Sequence, residues 1–349
     1  MYRWRTNSDD IHSIRRGPLQ QNADGRRRSQ GVQEKLTMQK KKCLLSILSV
    51  AALLLGGCGS TQSLEPVEGL EALGAVSVIS RGEGSGTRSA FAELVGFDEG
   101  EDAAKSDATT DDAQIVTDAD AVLAAVSQDT SAVGYVSMGA LEESDGTGDA
   151  DGTNAADGSK VLAVDGVAGT LENVKNGKYK LSRPFILAWS GSLNELEQDF
   201  LTYVLGKGQE IVGQSYVSVE DSTTFLSGQQ EGTITISGST SAAPLLEALA
   251  AEYMEMNTHA VVEVIASDST TGLNEAMQGS CDFAMASREL KDYEKELLDY
   301  EVIAQDGIAV VVNEDNPLDD VSLEELKGLF TGTISEWKMI NTEREGDTE

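Results

Sequence analysis

Hydrophobic and polar positions along this chain fall into two repeating patterns. Short apolar or alternating runs such as "AVSVIS", "AVGYVSM", "VLAVDG", "RPFILAWS", "TITISG", "AVVEVIAS", "CDFAMAS" and "GIAVVVN" read as strands. Between them lie segments with apolar residues three and four apart. In "NELEQDFLTYVLGKGQEIV", Leu196, Phe200, Tyr203 and Val204 share one helical face with Leu193 just upstream. "AAPLLEALAAEYMEMN" is a second such helix, and "SLEELKGLF" is a third with Ser322 as its N-cap. Strands alternating with helices predict an α/β architecture with largely parallel sheets. Residues 217–232, "VSVEDSTTFLSGQQEG", break the pattern and read as a linker.

Composition narrows the setting. The 349 residues carry a formal charge of -33 with 40% hydrophobic residues, so the chain can bury a sizeable core and offers no generally basic surface for nucleic acid. "MQKKKCLLSILSVAALLLGG", residues 38–57, reads as a secretory signal peptide, with residues 1–37 as an upstream extension and Met38 as the expected initiator. Cys58 follows directly, and "LGGC" resembles a lipobox, which implies that Cys58 carries a lipid; residues 58–75 then form a tether. Removing residues 1–58 takes away 11 basic and 4 acidic side chains, so the remainder is more acidic still. It keeps a single cysteine, Cys281, which excludes an internal disulfide framework. An acidic, glycine-rich stretch holds Asp145, Asp149, Asp151 and Asn154 without EF-hand spacing, so it reads as a solvated excursion, with no metal or cofactor expected.

The candidate chemistry sits in three strand-to-helix turns. "VISRGEGSGTRSAF" lacks the Lys-Ser/Thr pair of a Walker loop and the dinucleotide spacing, but the amides of Ser85, Gly86 and Thr87 would converge on an anion at a helix start near Thr87. Arg81 adds a two-pronged charged donor. "GSTSAAP" offers Thr240 and Ser241, and "SDSTTGL" offers Ser269, Thr270 and Thr271. Taken singly, each turn is equally an ordinary Ser/Thr helix cap. Three together point to an anion site. Of the five arginines after the signal, Arg81, Arg88 and Arg288 lie in or beside these turns, whereas Arg183 and Arg344 do not.

These stretches carry a family resemblance. "ITISGSTSAAPLLEALAAEYM", "SDSTTGLNEAMQGSCDFAMASREL", "GIAVVVNEDNPLDDVSLEELKGLFTGTISEW", "VISRGEGSGTRSAF", "AVGYVSMGAL" and "NGKYKLSRPFILAW" resemble the signatures of the phosphate-binding protein of phosphate ABC transporters. The resemblance covers most of residues 76–337. The order differs: in that family the "GSTS" segment opens the domain, whereas here the "GSGTR" half comes first, as in a circularly permuted member. The implied fold is the two-lobed, type II periplasmic-binding-protein-like fold, with residues 76–140 and 313–349 in one lobe and 160–312 in the other.

By motif position, the resemblance implies phosphate contacts from Arg81, Ser85, Gly86 and Thr87 on one side and Thr240, Ser241 and Ser269 on the other. Glu83 stands where the family commonly has an aspartate that accepts a phosphate proton, and Arg288 stands where some members have a second aspartate. For Arg288, anion contact and a structural ion pair remain open alternatives, and Arg88 reads as support for the loop. The expected protein is a monomeric lipid-anchored receptor on the outer face of the plasma membrane, passing phosphate to ABC permease subunits. A sensor or surface protein of the same fold, or a receptor for another oxyanion, is the alternative. An enzyme is not expected, since beyond the signal the chain holds one histidine, His259, and no Ser-His-Asp set can be assembled.

Overall fold

The computed structural model describes residues 67–98, 107–143 and 158–340. The signal, Cys58, the first half of the tether, the acidic stretch with Asp145 to Asn154, and the C-terminal tail with Arg344 lie outside the described residues, whereas residues 67–75, read as tether, pack Leu70 into a core. In chain order the elements are α1 (Leu70–Leu73), β1 (Ser77–Arg81), α2 (Gly86–Val95), β2 (Gln114–Val116), α3 (Ala119–Gln128), β3 (Ala132–Ser137), α4 (Met138–Glu143), β4 (Ser159–Val161), β5 (Ala163–Val164), α5 (Leu171–Lys175) and β6 (Ser182–Trp189). There follow α6 (Glu195–Leu205), α7 (Gln209–Ser215), β7 (Gly232–Ser239), α8 (Ala243–Met256), β8 (Ala260–Ser267), α9 (Ser269–Gln278), β9 (Phe283–Ala286), α10 (Asp292–Leu297), β10 (Asp299–Asn313), β11 (Asp320–Val321) and α11 (Leu323–Thr331). No described helix is long and apolar enough to cross a membrane.

The main sheet runs β2–β1–β3–β10–β6–β9–β7–β8, with β4 beside the end of β10. Strands β1, β2 and β3 are mutually parallel, as are β7, β8 and β9, because helices carry the chain back between them; β10 runs antiparallel to β3 and β6. Two lobes result, each with its own core. The first contains Val78, Ile79, Phe91, Val133, Tyr135, Ile308–Val312, Phe330 and Trp337, with Phe91 stacked on Tyr135 at 4.2 Å and edge-on to Phe330 at 4.8 Å. The second is split by its sheet in the period-two manner of strands. Phe185 and Leu187 of β6 face α6 and α8, whereas Ile186 and Ala188 face α9.

The division between the lobes differs from the one read in the sequence, which assigned 160–312 to a single lobe. Val161, Leu162, Val164, Tyr179, Leu181 and Ile308–Val312 belong to the first core. The cause is β10. This one 15-residue strand pairs with β6 over Asp299–Gly307 and with β3 and β4 over Ile308–Asn313, so its halves serve different cores. The run "GIAVVVN" shows only its buried half, since Asp299, Tyr300 and Glu301 are exposed. Between Ser215 and Gly232 no helix or strand forms. The segment joins α7 to β7, both built on the second lobe.

Candidate anion site between the lobes

Three helix N-termini meet where the lobes touch. Thr87 in the first turn of α2 shares a 2.8 Å hydrogen bond with the Ser241 hydroxyl just ahead of α8. The Thr270 amide, in the first turn of α9, donates to the carbonyl of Gly84 at 3.4 Å. Gly86 lies so close to Ser269 and Ser287 that an added Cβ would fall within 2.5 Å of the Ser287 hydroxyl and closer still to that of Ser269. Only a glycine lets the backbone approach this far. Each helix start contributes the positive end of a dipole to the same spot.

Capping accounts for part of this chemistry and leaves the rest over. Ser85 caps α2, its hydroxyl accepting from the Arg88 amide at 3.4 Å. At α9 the cap is Asp268, which accepts from the Thr271 amide at 2.8 Å, so the Ser269 hydroxyl is released from that duty and accepts from the Ser287 amide at 3.1 Å. At α8 the N-cap is Ala242, with no side-chain cap bond. Thr240 and Ser241 therefore turn their hydroxyls across the lobe boundary, Thr240 accepting from Arg81 Nη2 at 2.8 Å. Ser239 donates to Ser287 at 2.7 Å and completes a cluster of buried hydroxyls.

Arg81 is the charged centre of the cluster. Among the four described arginines, three are bonded to carboxylates: Arg88 to Asp107 at 2.7 and 2.9 Å, Arg183 to Asp306 at 2.9 and 3.0 Å, and Arg288 to Glu294 at 2.8 Å. Arg81 is 3% exposed, yet Nη2 donates only to neutral oxygens, Thr117 O at 2.6 Å and Thr240 Oγ1. Its Nε has no hydrogen-bond partner among the described residues. Burial, followed at a distance by repulsion from Arg183, lowers its pKa from the ordinary arginine value. Asp118 attracts the guanidinium without a hydrogen bond to it, and a buried cation bonded to no carboxylate costs several kcal/mol, roughly what a bound anion would offset.

A supporting layer fixes Arg81. The Tyr135 phenol shares a 2.8 Å hydrogen bond with Ser80 and accepts from the Arg81 amide at 3.3 Å. Burial raises the Tyr135 pKa, which keeps the phenol a hydroxyl at neutral pH. Arg88 donates to the Arg81 carbonyl at 2.9 Å while Asp107 grips its other end. Burial alone would raise the Asp107 carboxyl, but hydrogen bonds from Arg88 and Thr109 hold it below the usual carboxylate range.

Of the residues singled out in the sequence, Arg81, Ser85, Gly86, Thr87, Thr240, Ser241 and Ser269 come together. Glu83 is exposed at the tip of the loop. Arg288 is committed to Glu294, with a further 3.4 Å contact to Thr270, so of its two readings the geometry displays the ion pair. Residues the sequence reading missed are Ser239 and Ser287, Tyr135, and the Arg183–Asp306 pair. Ser287 lay in the quoted "FAMASREL" but was overshadowed by its arginine. Tyr135 and Arg183 lay in the quoted "AVGYVSMGAL" and "NGKYKLSRPFILAW", but a tyrosine in an apolar strand and two charges 123 positions apart point to no shared role. Among the described residues no group of three or more His, Cys, Asp or Glu side chains is placed to hold a metal ion, and His259 is exposed in the turn before β8.

A buried arginine among hydroxyls and helix starts, clasped between two lobes, is the architecture of a two-lobed binding protein. Residues 64–207 and 223–348 match the PBP superfamily domain. Phosphate-binding protein PstS 2 of Streptococcus agalactiae serotype V is 37% identical over 311 residues, which cover 86% of this chain and 99% of that protein. Phosphate-binding protein PstS of Bacillus subtilis is 37% identical over only 134 residues, 37% of this chain and 43% of that protein. Among solved structures, a phosphate ABC transporter phosphate-binding protein from Streptococcus pneumoniae TIGR4 superposes with a TM-score of 0.63 at 35% identity, covering 76% of this chain and all of that one. The chain belongs to the PBP superfamily and, within it, to the family of PstS phosphate-binding proteins.

Proposed function

We propose that this protein captures inorganic phosphate between its two lobes and delivers it to the permease of an ABC transporter. The observation that carries the reading is Arg81, the buried guanidinium with only neutral partners and an unpartnered Nε, set where three helix starts converge. In the proposed complex Arg81, the amides of Ser85, Gly86 and Thr87, and the hydroxyls of Thr87, Thr240, Ser241 and Ser269 donate to the phosphate oxygens. Ser287 joins them from the second lobe. Binding by many donors on a strongly acidic protein is a local electrostatic effect, set against the overall field. Cys58 anchors the monomer to the outer face of the plasma membrane, and the protein acts as a receptor without chemistry of its own.

We also propose that the segment order is a circular permutation of the one found elsewhere in the family. The Streptococcus agalactiae relative aligns from end to end, whereas the Bacillus subtilis relative aligns over 134 residues, as expected when one continuous alignment can follow only one part of a permuted pair. The linker 217–232 would join the ancestral ends, and the elements on either side of it, α7 and β7, lie in the same lobe.

The test is calorimetric titration of residues 60–349 with phosphate, sulfate and arsenate, beside Arg81→Ala. Phosphate binding that Arg81→Ala abolishes is the expected result, with the weaker ligands ranking the selectivity. A folded wild-type protein silent toward all three anions would overturn the proposal and leave a surface or sensory role.

A further inference from the structure

Among the described residues, two strand segments carry the chain from one core into the other. The first passage, Ser182–Pro184, lies between Leu181 of the first core and Phe185 of the second; the other, Gln305–Gly307, lies between Ala304 and Ile308. The passages are hydrogen-bonded neighbours, with Pro184 opposite Gln305, Arg183 opposite Asp306 and Ser182 opposite Gly307. Any rotation of one lobe against the other must therefore twist this ladder.

At its centre Arg183 and Asp306 form an ion pair with side chains 1% and 0% exposed. Each partner also holds one lobe. Ser137, the last residue of β3, donates to Asp306 Oδ1 at 2.9 Å, and Arg183 Nη1 donates to the Ser287 carbonyl at 3.1 Å. Ser287 in turn presents its amide to Ser269 and its hydroxyl to Ser239 within the anion cluster. Buried ion pairs are poor sources of net stability, because desolvating both charges offsets their attraction. What distinguishes this pair is its position: it ties a residue of each lobe to the two strands that, among the described residues, run from one core into the other.

We propose that Arg183 and Asp306 are positioning residues for anion capture, linking the hinge to the binding cluster through Ser137 on one lobe and Ser287 on the other. The inference rests on the reading of the cleft as a phosphate site. With the pair in place, closure brings Ser287 and Ser269 against the α2 start in a fixed arrangement. Without it the lobes still meet, but Ser287 loses the contact that sets its backbone.

The experiment compares wild type, Arg183→Met/Asp306→Leu and Ser137→Ala. The double substitution removes both charges together and leaves neither stranded. Phosphate affinity is measured by calorimetry, association and release by stopped flow, and compaction by small-angle X-ray scattering with and without phosphate. Wild type is expected to bind and contract. The double variant should keep a cooperative fold yet bind roughly 10- to 100-fold more weakly, the size expected for misplacing one or two donors to a charged ligand. The loss should lie in faster release, with association nearly unchanged, and contraction should be incomplete. A folded double variant with wild-type release and contraction would overturn the inference, as would a loss lying wholly in association. Should the double variant fail to fold, Ser137→Ala decides by itself: release about threefold faster or more is expected, and wild-type release refutes the link. A wild type that ignores phosphate would bring down the phosphate reading itself, an outcome separate from a wild type that binds beside variants that behave identically.

Discussion

Replacing Gly86 by alanine isolates lobe closure from lobe folding. Gly86 is the first residue of α2 and its φ is not left-handed, so within its own lobe alanine is a better helix former by roughly 0.5–1 kcal/mol. The new methyl group points at the other lobe, 2.5 Å from the Ser287 hydroxyl and nearer still to that of Ser269. Ordinary contact needs about 3.5 Å, so the lobes must stand apart by roughly 1 Å at this point. That separation stretches the 2.8 Å Thr87–Ser241 and Arg81–Thr240 bonds beyond useful length. Losing one neutral and one charge-assisted bond amounts to about 2–4 kcal/mol, a roughly 30- to 1000-fold loss in phosphate affinity. Calorimetric titration gives the affinity, and thermal unfolding without ligand checks that the lobe itself is intact. Gly82→Ala is the control, since a Cβ there meets nothing within 4 Å. Phosphate binding by Gly86→Ala within threefold of wild type would refute the closed geometry described for this loop.

Two further predictions follow from the supporting layer. Tyr135→Phe keeps the stack on Phe91 but leaves Ser80 and the Arg81 amide without their shared partner, so urea denaturation should show a loss of about 1–3 kcal/mol; an unchanged midpoint would show that the phenol is dispensable. Asp107 and Glu294 are both buried against opposing burial penalties and both held below the ordinary carboxylate range, Asp107 through Arg88 and Thr109, Glu294 through Arg288 and the Lys291 amide. A lowered native pKa adds stability above the unfolded value near about 4 and forfeits it as pH falls through the native one, so the melting temperature should decline steeply below about pH 4, and Asp107→Asn should flatten that decline.

The parts of the site legible in the sequence are those written into contiguous turns. "GEGSGTR", "GSTS" and "DSTTG" each combine a strand end, small residues and a helix start, and Arg81 lies four residues before Ser85. What the turns alone left open was whether their hydroxyls cap helices or face an anion. That depended on Asp268 and Ala242 occupying the cap positions, a question of backbone geometry that residue types do not decide. Arg183 stood outside the three turns, and its partner Asp306 lies 123 residues further on, so the hinge pair emerges only when β6 and β10 are laid side by side. The lobe boundary stayed hidden for a related reason. A strand that belongs to two cores is one continuous stretch of backbone, and only its apolar half, "GIAVVVN", read as a strand.

That strand also dictates when folding can be completed as the chain is synthesised. The sheet places β10 between β3 and β6, so until residue 313 has emerged the two halves of the sheet have no strand in common. During that interval β3 and β6 each present an unpaired edge, the kind of surface on which nascent chains aggregate. Arrival of β10 covers both edges in one event. Neither lobe can then be lost without stripping the other of half a strand, and thermal unfolding is expected as a single transition, with amide protection along Asp299–Asn313 decaying together from end to end.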